Sequence, residues 1–345
     1  MRLRCEPLEL KTKHTFRISR EAHDVYHNVL TQIVHEGVVG FGEAAPAGYF
    51  GENERQILDI LPRESSLLGD DPFQVERIVD RLSDRISSNR AAVASVDIAL
   101  HDLIGKLLGV PLYALFGLDK DRACQTSFTI GIDTVENIRK KVREASGFPI
   151  LKVKLGTDYD LEILRAVREE TDAVVRVDAN GAWSAREAVE TIHEIEQYGV
   201  EFVEQPVPAE DLDGLAFVKK RVRLPIIADE PVLTARDVPK LARRVDGINI
   251  KLMKCGGLRE ALRLIHVARA HGMSVMLGCR VESSISISAA AHLSPLADYA
   301  DLDGNMLIVN DPYTGVEVSE GRLVLPDGPG LGICAREKEP QKAHV

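Results

Sequence analysis

Along the chain the spacing of hydrophobic and polar positions changes twice. The first 45 residues alternate apolar and polar positions, as in "VLTQIVHEGVVGFGEA". Val29 to Val34 followed by Gly37 and Gly40 predicts an antiparallel hairpin or meander, because a strand shows its two faces at every second residue. From about Glu54 to Leu108 the period lengthens. In "DPFQVERIVDRLSDRI" the apolar residues Val75, Ile78, Val79 and Leu82 fall at helical spacing. "AAVASVDIALHDLIGKLLG" runs as a second helix into Gly109 and Val110-Pro111, a stop signal. Strands followed by helices predict an α+β domain over residues 1–120.

Beyond Asp119 short apolar strands alternate with polar-faced helical stretches. Eight strands are predicted: "QTSFTIG", "PILKVKLG", "AVVRVDANG", "VEFVEQP", "PIIADEP", "GINIKLMK", "MSVMLGC" and "DYADLDG". Their polar ends, Lys154, Asp178, Glu204, Asp229, Lys251, Gly278 and Asp301, are 22 to 27 residues apart. A near-constant strand–helix repeat predicts an α/β fold with a parallel barrel over residues 121–311 rather than an open sheet. Residues 312–345 carry no further repeat and are expected to return to the first domain.

Composition narrows the class without changing the architecture. Hydrophobic residues are 45% and charged residues 28% of the chain, as in an ordinary globular protein, and no apolar run reaches membrane-spanning length. The net charge of −10 argues against a nucleic acid or an anionic membrane as partner. The start, "MRLRCEPLEL", has no apolar core of signal-peptide length, which predicts a cytoplasmic location. Five scattered cysteines, Cys5, Cys124, Cys255, Cys279 and Cys334, form no CxxC pair and fit reduced thiols. A homo-oligomer is the expected assembly.

In a parallel barrel the C-terminal strand ends gather at one mouth. Asp178, Glu204 and Asp229 end three consecutive strands there, so their carboxylates are placed to converge. Three hard oxygen ligands without His or Cys suit Mg²⁺, or Mn²⁺ in its place, and not Zn²⁺. Each acid alone reads equally well as a cap on the following helix; three in register favour the metal. Lys154 ends the second strand and Lys251 the sixth, one on either side of the acids. Lys152 and Lys154 are two apart and emerge on one face. A neighbouring lysine and a divalent ion both disfavour an ammonium, a route for a lysine from its ordinary ~10.4 toward a usable base. Lys152 is expected to add positive potential near a substrate carboxylate. Two bases flanking a metal fit removal of a proton α to a carboxylate, through an enediolate, and its return on the opposite face: a racemisation or epimerisation. The bland reading, salt bridges kept for stability, is the weaker one, since buried pairs of that kind seldom stabilise much.

The stretches "KVKLG", "RVDANGAW", "VEQP", "ADEP" and "INIKLMKCGG" resemble the enolase superfamily, specifically its muconate-lactonising subgroup with a KxK motif. The resemblance extends to "GFGEA" and "DIALHDLIGKLLGVPLYALFG" and so covers nearly the whole chain. It implies a (β/α)7β modified TIM barrel under an N-terminal α+β capping domain. It also implies that Lys154 and Lys251 are the acid/base pair and that Asp178, Glu204 and Asp229 hold Mg²⁺, with Asn180 supporting them from the same stretch. The subgroup includes cycloisomerases, o-succinylbenzoate synthases and N-acylamino acid racemases. "ADLDG" separates these: Asp301 and Asp303 are two apart and share a face if the strand runs that far, and a DxD at this place is similar to that of dipeptide epimerases. There it holds the free α-ammonium of a dipeptide such as L-Ala-D/L-Glu, a group that N-acylated substrates and muconates lack. The plain alternative is a solvated turn.

By the same resemblance, a capping loop from Ser19 to Tyr26 reads the side chain of the epimerised residue. Arg20 there would favour a Glu side chain, and Glu21 or Asp24 a cationic one. "PAGYFGENE" is expected to be a second, mobile loop over the mouth, hinged at Gly48 and Gly51. Glu282 either touches substrate or caps a helix. "GPGLGI" lacks the lysine and helix of a phosphate loop and reads as a turn. The ten histidines show no HxH or HExxH spacing, which weakens a zinc hydrolase. A non-catalytic Mg²⁺-binding scaffold is the rival of another class, and the lysine pair counts against it.

Overall fold

The computed structural model describes residues 1–336. Residues 337–345, the end of the expected C-terminal segment, lie outside the described residues. The chain opens with an antiparallel sheet in the order β1 (Arg2–Arg17), β2 (Ala22–His35), β3 (Val38–Ala44). The β2–β3 hairpin turns through Glu36 and Gly37 at φ 49° and 81°, the double left-handed geometry that a two-residue turn requires. Three helices follow: α1 (Glu54–Arg63), α2 (Val75–Arg85) and α3 (Arg90–Leu108). Ile78, Val79 and Leu82 are the buried stripe of α2. α3 is buried along most of its length, from Ala91 to Gly105, and packs directly on β3. That approach requires glycine: a Cβ at Gly40 or Gly42 would stand 2.1 Å from the Ala99 carbonyl or 1.9 Å from that of Ser95.

Eight parallel strands follow in sequence order around one sheet: β4 (Phe128–Ile130), β5 (Ile150–Lys154), β6 (Val174–Asp178), β7 (Val200–Glu204), β8 (Ile226–Ala228), β9 (Gly247–Ile250), β10 (Ser274–Gly278) and β11 (Tyr299–Asp301). A parallel bridge from Thr126 to Ala300 and the 3.0 Å bond from Ser127 N to Ala300 O join the two edges. Helices at Val135–Glu144, Asp160–Glu170, Ala185–Ile195, Leu212–Lys219, Leu258–Ala270 and Ser284–Ala291, with the single turn Val238–Leu241, make the seven crossovers. The (β/α)7β barrel and its α+β companion are as expected, and each strand falls in its anticipated segment. The floor is filled: Arg176 stacks 5.3 Å from the ring of Phe202 and 5.0 Å from that of Tyr299. The segment after Asp311 touches both parts of the molecule, with Leu331 N donating to Asp102 of α3 at 2.8 Å and Gly321 O accepting from Thr126 N.

Candidate active site

Alternation along the strands places Lys152 and Lys154 of β5, Arg176 and Asp178 of β6, and Phe202 and Glu204 of β7 on the inner face of the barrel. Lys154, Asp178 and Glu204 are in register across three neighbouring strands. All three acids at the mouth are buried. None caps a helix: the N-cap positions that follow are Ser184, Asp211 and Asp237. The chain turns sharply beside them, with Asn180 at φ 47° and Gln205 at φ 38°, left-handed positions seldom taken by residues other than glycine and concentrated at functional sites. Asn180 N donates to Asp178 Oδ1 at 2.9 Å, and its side-chain amide lies between Asp178 and Glu230 at 3.4 and 3.5 Å.

The lysines occupy the acids. Lys154 Nζ is 2.6 Å from Asp178 Oδ2, and Lys251 Nζ is 2.8 Å from Asp229 Oδ2. Lys152 Nζ bridges Asp301 at 2.7 Å, Glu204 at 2.8 Å and Asp178 at 3.1 Å. Burial alone would disfavour its ammonium, but these three carboxylates outweigh burial and hold it well above the ordinary lysine range. Lys152 is thus enclosed by three acids, on the cavity wall that it shares with Lys154. Burial likewise opposes the Lys251 ammonium, and Asp229 more than offsets it, so this lysine too is raised.

Asp301 and Asp303 both line one cavity, yet β11 stops at Asp301. Asp303 follows it, at the start of a 3₁₀ turn, Gly304–Met306, so the extended strand is not needed to bring the two together. Asp301 is engaged by Lys152, by Ser127 Oγ at 2.7 Å and by Thr129 Oγ1 at 3.3 Å. Asp303 accepts from Thr129 N at 2.6 Å, and its other oxygen has only the Cys279 thiol at 3.9 Å. Burial, then the charge of Asp301, pushes the Asp303 carboxyl up to about 7.

The cavity, about 430 Å³, lies between the mouth and the capping domain, and Lys152, Lys154, Lys251, Asp301 and Asp303 share its wall. Arg20 and Glu21 reach it from the turn between β1 and β2. Arg20 is already paired with Glu230 and lies 4.5 Å over the Tyr49 ring; Glu21 faces His23 at 3.6 Å. "PAGYFGENE" forms a 3₁₀ turn, Gly48–Phe50, with Gly51 at φ 75° and a capping box from Asn53 to Gln56. Glu282 does not cap the helix at Ser284–Ala291, which Ser283 caps. Its carboxylate accepts from Arg280 N at 2.8 Å, and burial followed by Glu43 pushes it up to about 8. Three neighbours went unread in the sequence. Lys254 donates to Asp229 Oδ1 at 2.5 Å, Asn249 donates to Glu204 Oε1 at 2.7 Å, and Arg280 meets the capping domain at Ala45 and Glu52. Both of the first two stand inside "INIKLMKCGG"; position along β9 was the available signal for Asn249, whereas Lys254 lies in the helical turn Leu252–Cys255 that follows.

Among the described residues, no group of three or more His, Cys, Asp or Glu side chains is arranged to hold a metal as it stands. Lys152 lies between Asp178 and Glu204, while Asp229 is held by Lys251 and Lys254. The donor set nonetheless fits a hard divalent cation. Glu204 Oε2 is buried and, despite its contact with Lys152, receives no well-directed hydrogen bond. Burial, then the neighbouring charge of Asp178, pushes the Glu204 carboxyl up to about 7, with Asp229 adding in the same direction. Carboxylate oxygens without His or Cys are the donor type that suits Mg²⁺.

Residues 6–117 match the mandelate racemase/muconate lactonizing enzyme N-terminal domain, and residues 133–339 match the enolase C-terminal domain-like family. An L-Ala-D/L-Glu epimerase of Bacteroides thetaiotaomicron is 45% identical over 96% of this chain and 88% of its own. The dipeptide epimerase of Enterococcus faecalis, solved with Mg and the dipeptide L-Leu-L-Tyr, superposes with a TM-score of 0.91 at 36% identity, covering 96% of this chain and 98% of that one. A substrate complex of the L-Ala-D/L-Glu epimerase of Bacillus subtilis gives 0.92 at 30% identity, covering 97% and 98%.

Proposed function

The chain belongs to the mandelate racemase/muconate lactonizing enzyme family of the enolase superfamily, and from that premise we propose that it is a Mg²⁺-dependent dipeptide epimerase. It inverts the α-carbon of the C-terminal residue of a dipeptide. The observation that carries this reading is one cavity wall shared by buried Lys154, Lys251, Asp301 and Asp303, with Asp178 and Asp229 paired to those two lysines.

Asp178, Glu204 and Asp229 would hold Mg²⁺, which would supply Lewis-acid stabilisation of negative charge on the substrate carboxylate; with the acids so engaged, Lys154 and Lys251 would be free of their pairs with Asp178 and Asp229. Lys154, on β5, and Lys251, just past β9, then address opposite faces of the α-carbon. One lysine removes the proton and the other, arriving protonated, returns one from the far side. Each lysine reverses its part with the other epimer. Asp303 takes the α-ammonium of the N-terminal residue, and Asp301, fixed by Ser127 and Thr129, orients that end of the site. Asn180 keeps Asp178 in place through its backbone N–H. Floor and capping domain enclose the reacting carbon, which strengthens each charge interaction. A cytoplasmic setting is proposed on five free thiols.

The reading is tested by incubating the protein with Mg²⁺ and a pooled L,L-dipeptide library in D₂O, followed by mass spectrometry. Epimerisation leaves one deuterium on the α-carbon, a gain of about one mass unit for each substrate. If N-acylamino acids are labelled and dipeptides are not, the N-acylamino acid racemase reading takes its place.

A further inference from the structure

Arg280 stands two residues past the end of β10, on the wall of the same cavity. The lysines there are engaged by carboxylates, and Arg20 by Glu230. Arg280 is different. Its side chain is only 10% exposed, and Nη1 meets the Ala45 carbonyl and Glu52 Oε2, the latter at 3.4 Å. Nε and Nη2 are buried and have no hydrogen-bond partner. Those two atoms form the edge of a guanidinium that binds a carboxylate through two parallel bonds. Leaving that edge buried and unsatisfied is costly, so an acceptor from outside the chain is expected there. The rings of Tyr49 and Phe50, 5.7 and 5.5 Å from the guanidinium carbon, exclude water from one side. Glu52 is only a partial counter-charge, since its oxygens also hold the N–H groups of Ala47 and Ala91.

The direction from which the acceptor comes follows from the proposed function, on which this inference rests. The reacting carbon has four substituents. Its carboxylate points to β6–β8, its amide to Asp303 past β11, and its proton to a lysine on β5 or past β9. The barrel floor is closed by Arg176, Phe202 and Tyr299. The side chain therefore leaves away from the floor, toward the capping residues on the cavity wall, among them the 45–52 loop that Arg280 meets. We propose that Arg280 reads the side chain of the epimerised residue through its Nε–Nη2 edge, and that the preferred side chain carries a carboxylate. Arg20, the arginine singled out in the sequence, has its charge already committed to Glu230.

The test measures deuterium exchange with L-Ala-L-Glu, L-Ala-L-Gln and L-Ala-L-Leu, using the Mg²⁺-supplemented enzyme and its R280Q and R280K variants. In the unaltered enzyme kcat/KM for L-Ala-L-Glu should exceed that for L-Ala-L-Gln by about 100-fold, the worth of one charge-assisted pair. R280Q should erase most of that preference, chiefly through KM, and R280K should retain part of it. If R280Q folds poorly, the Glu-against-Gln comparison in the unaltered enzyme decides alone. Equal handling of Glu and Gln, or an equal loss on all three substrates in R280Q, would overturn the assignment. No exchange with any dipeptide would overturn the epimerase reading and this inference with it.

Discussion

Replacing Lys152 by Met isolates the electrostatics of the site. Methionine keeps most of the volume and removes the charge. The three carboxylates around Lys152 are not left equal. Asp178 keeps Lys154 at 2.6 Å, and Asp301 keeps Ser127 at 2.7 Å. Glu204 keeps only the neutral amide of Asn249. The substitution thus strands about one buried carboxylate, which costs about 3–5 kcal/mol when its partner is removed. With an unfolding entropy of about 2 cal/mol/K per residue, a chain of 345 residues changes its Tm by roughly 4–7 °C for that loss. Differential scanning calorimetry in EDTA should show this fall. Added Mg²⁺ should raise the Tm of the variant more than that of the unaltered protein, because the cation supplies the charge that Lys152 no longer provides. A shift below about 1 °C in EDTA would refute the view of Lys152 as the counter-charge of Glu204. A fall of the same size with and without Mg²⁺ would refute the assignment of these carboxylates to the metal.

Lys154→Ala and Lys251→Ala should each lower epimerisation by at least about 10³-fold, and full turnover in either variant would end the two-base mechanism. Asp303→Asn should raise KM for dipeptides without lowering Tm; an unaltered KM would remove the case for ammonium recognition. Because burial and Asp301 push the Asp303 carboxyl up to about 7, its charged form is lost as the pH falls through that value. KM of the unaltered enzyme should therefore rise below about pH 7, and KM of Asp303→Asn should stay flatter there. Away from the site, burial holds His292 down to about 4, with Nε2 against the Leu331 carbonyl and Nδ1 accepting from Tyr113 N. The unfolded imidazole, near ~6.5, takes up a proton first as pH falls, so His292 contributes stability above ~6.5 that is lost toward 4. About 2 kcal/mol should be gone by about pH 5, read as the urea midpoint of the unaltered protein against His292→Gln; equal losses in both would refute it.

Much of the site was legible because a barrel turns sequence position into spatial position. Asp178 and Glu204 end their strands, Asp229 and Lys251 stand one residue past theirs, and all four sit at one mouth. Arg280 was not legible. It lies beside Glu282, which drew attention as a cap or a substrate contact, but its meaning comes from Ala45, 235 residues away, and from the aromatic pair at Tyr49 and Phe50. No local period reports such a contact. Arg20 was the reverse case, an arginine at the right loop whose partner, Glu230, lies 210 residues away, just past β8.

By itself the sequence determined the order of elements, the barrel and the set of charged side chains at its mouth, since each follows from short-range periods and strand ends. Only the tertiary structure decided which charge meets which. Lys154, Asp178 and Glu204 stand level across β5 to β7, but β8 is offset, so Glu204 is opposite Ile227, and Asp229 stands two residues further along. That offset leaves Asp178 and Glu204 around Lys152 and delivers Asp229 to Lys251 and Lys254. A charge on a strand end has a known height, but its partner is chosen by stagger and by the domain that closes over it, and both arise only when distant segments pack.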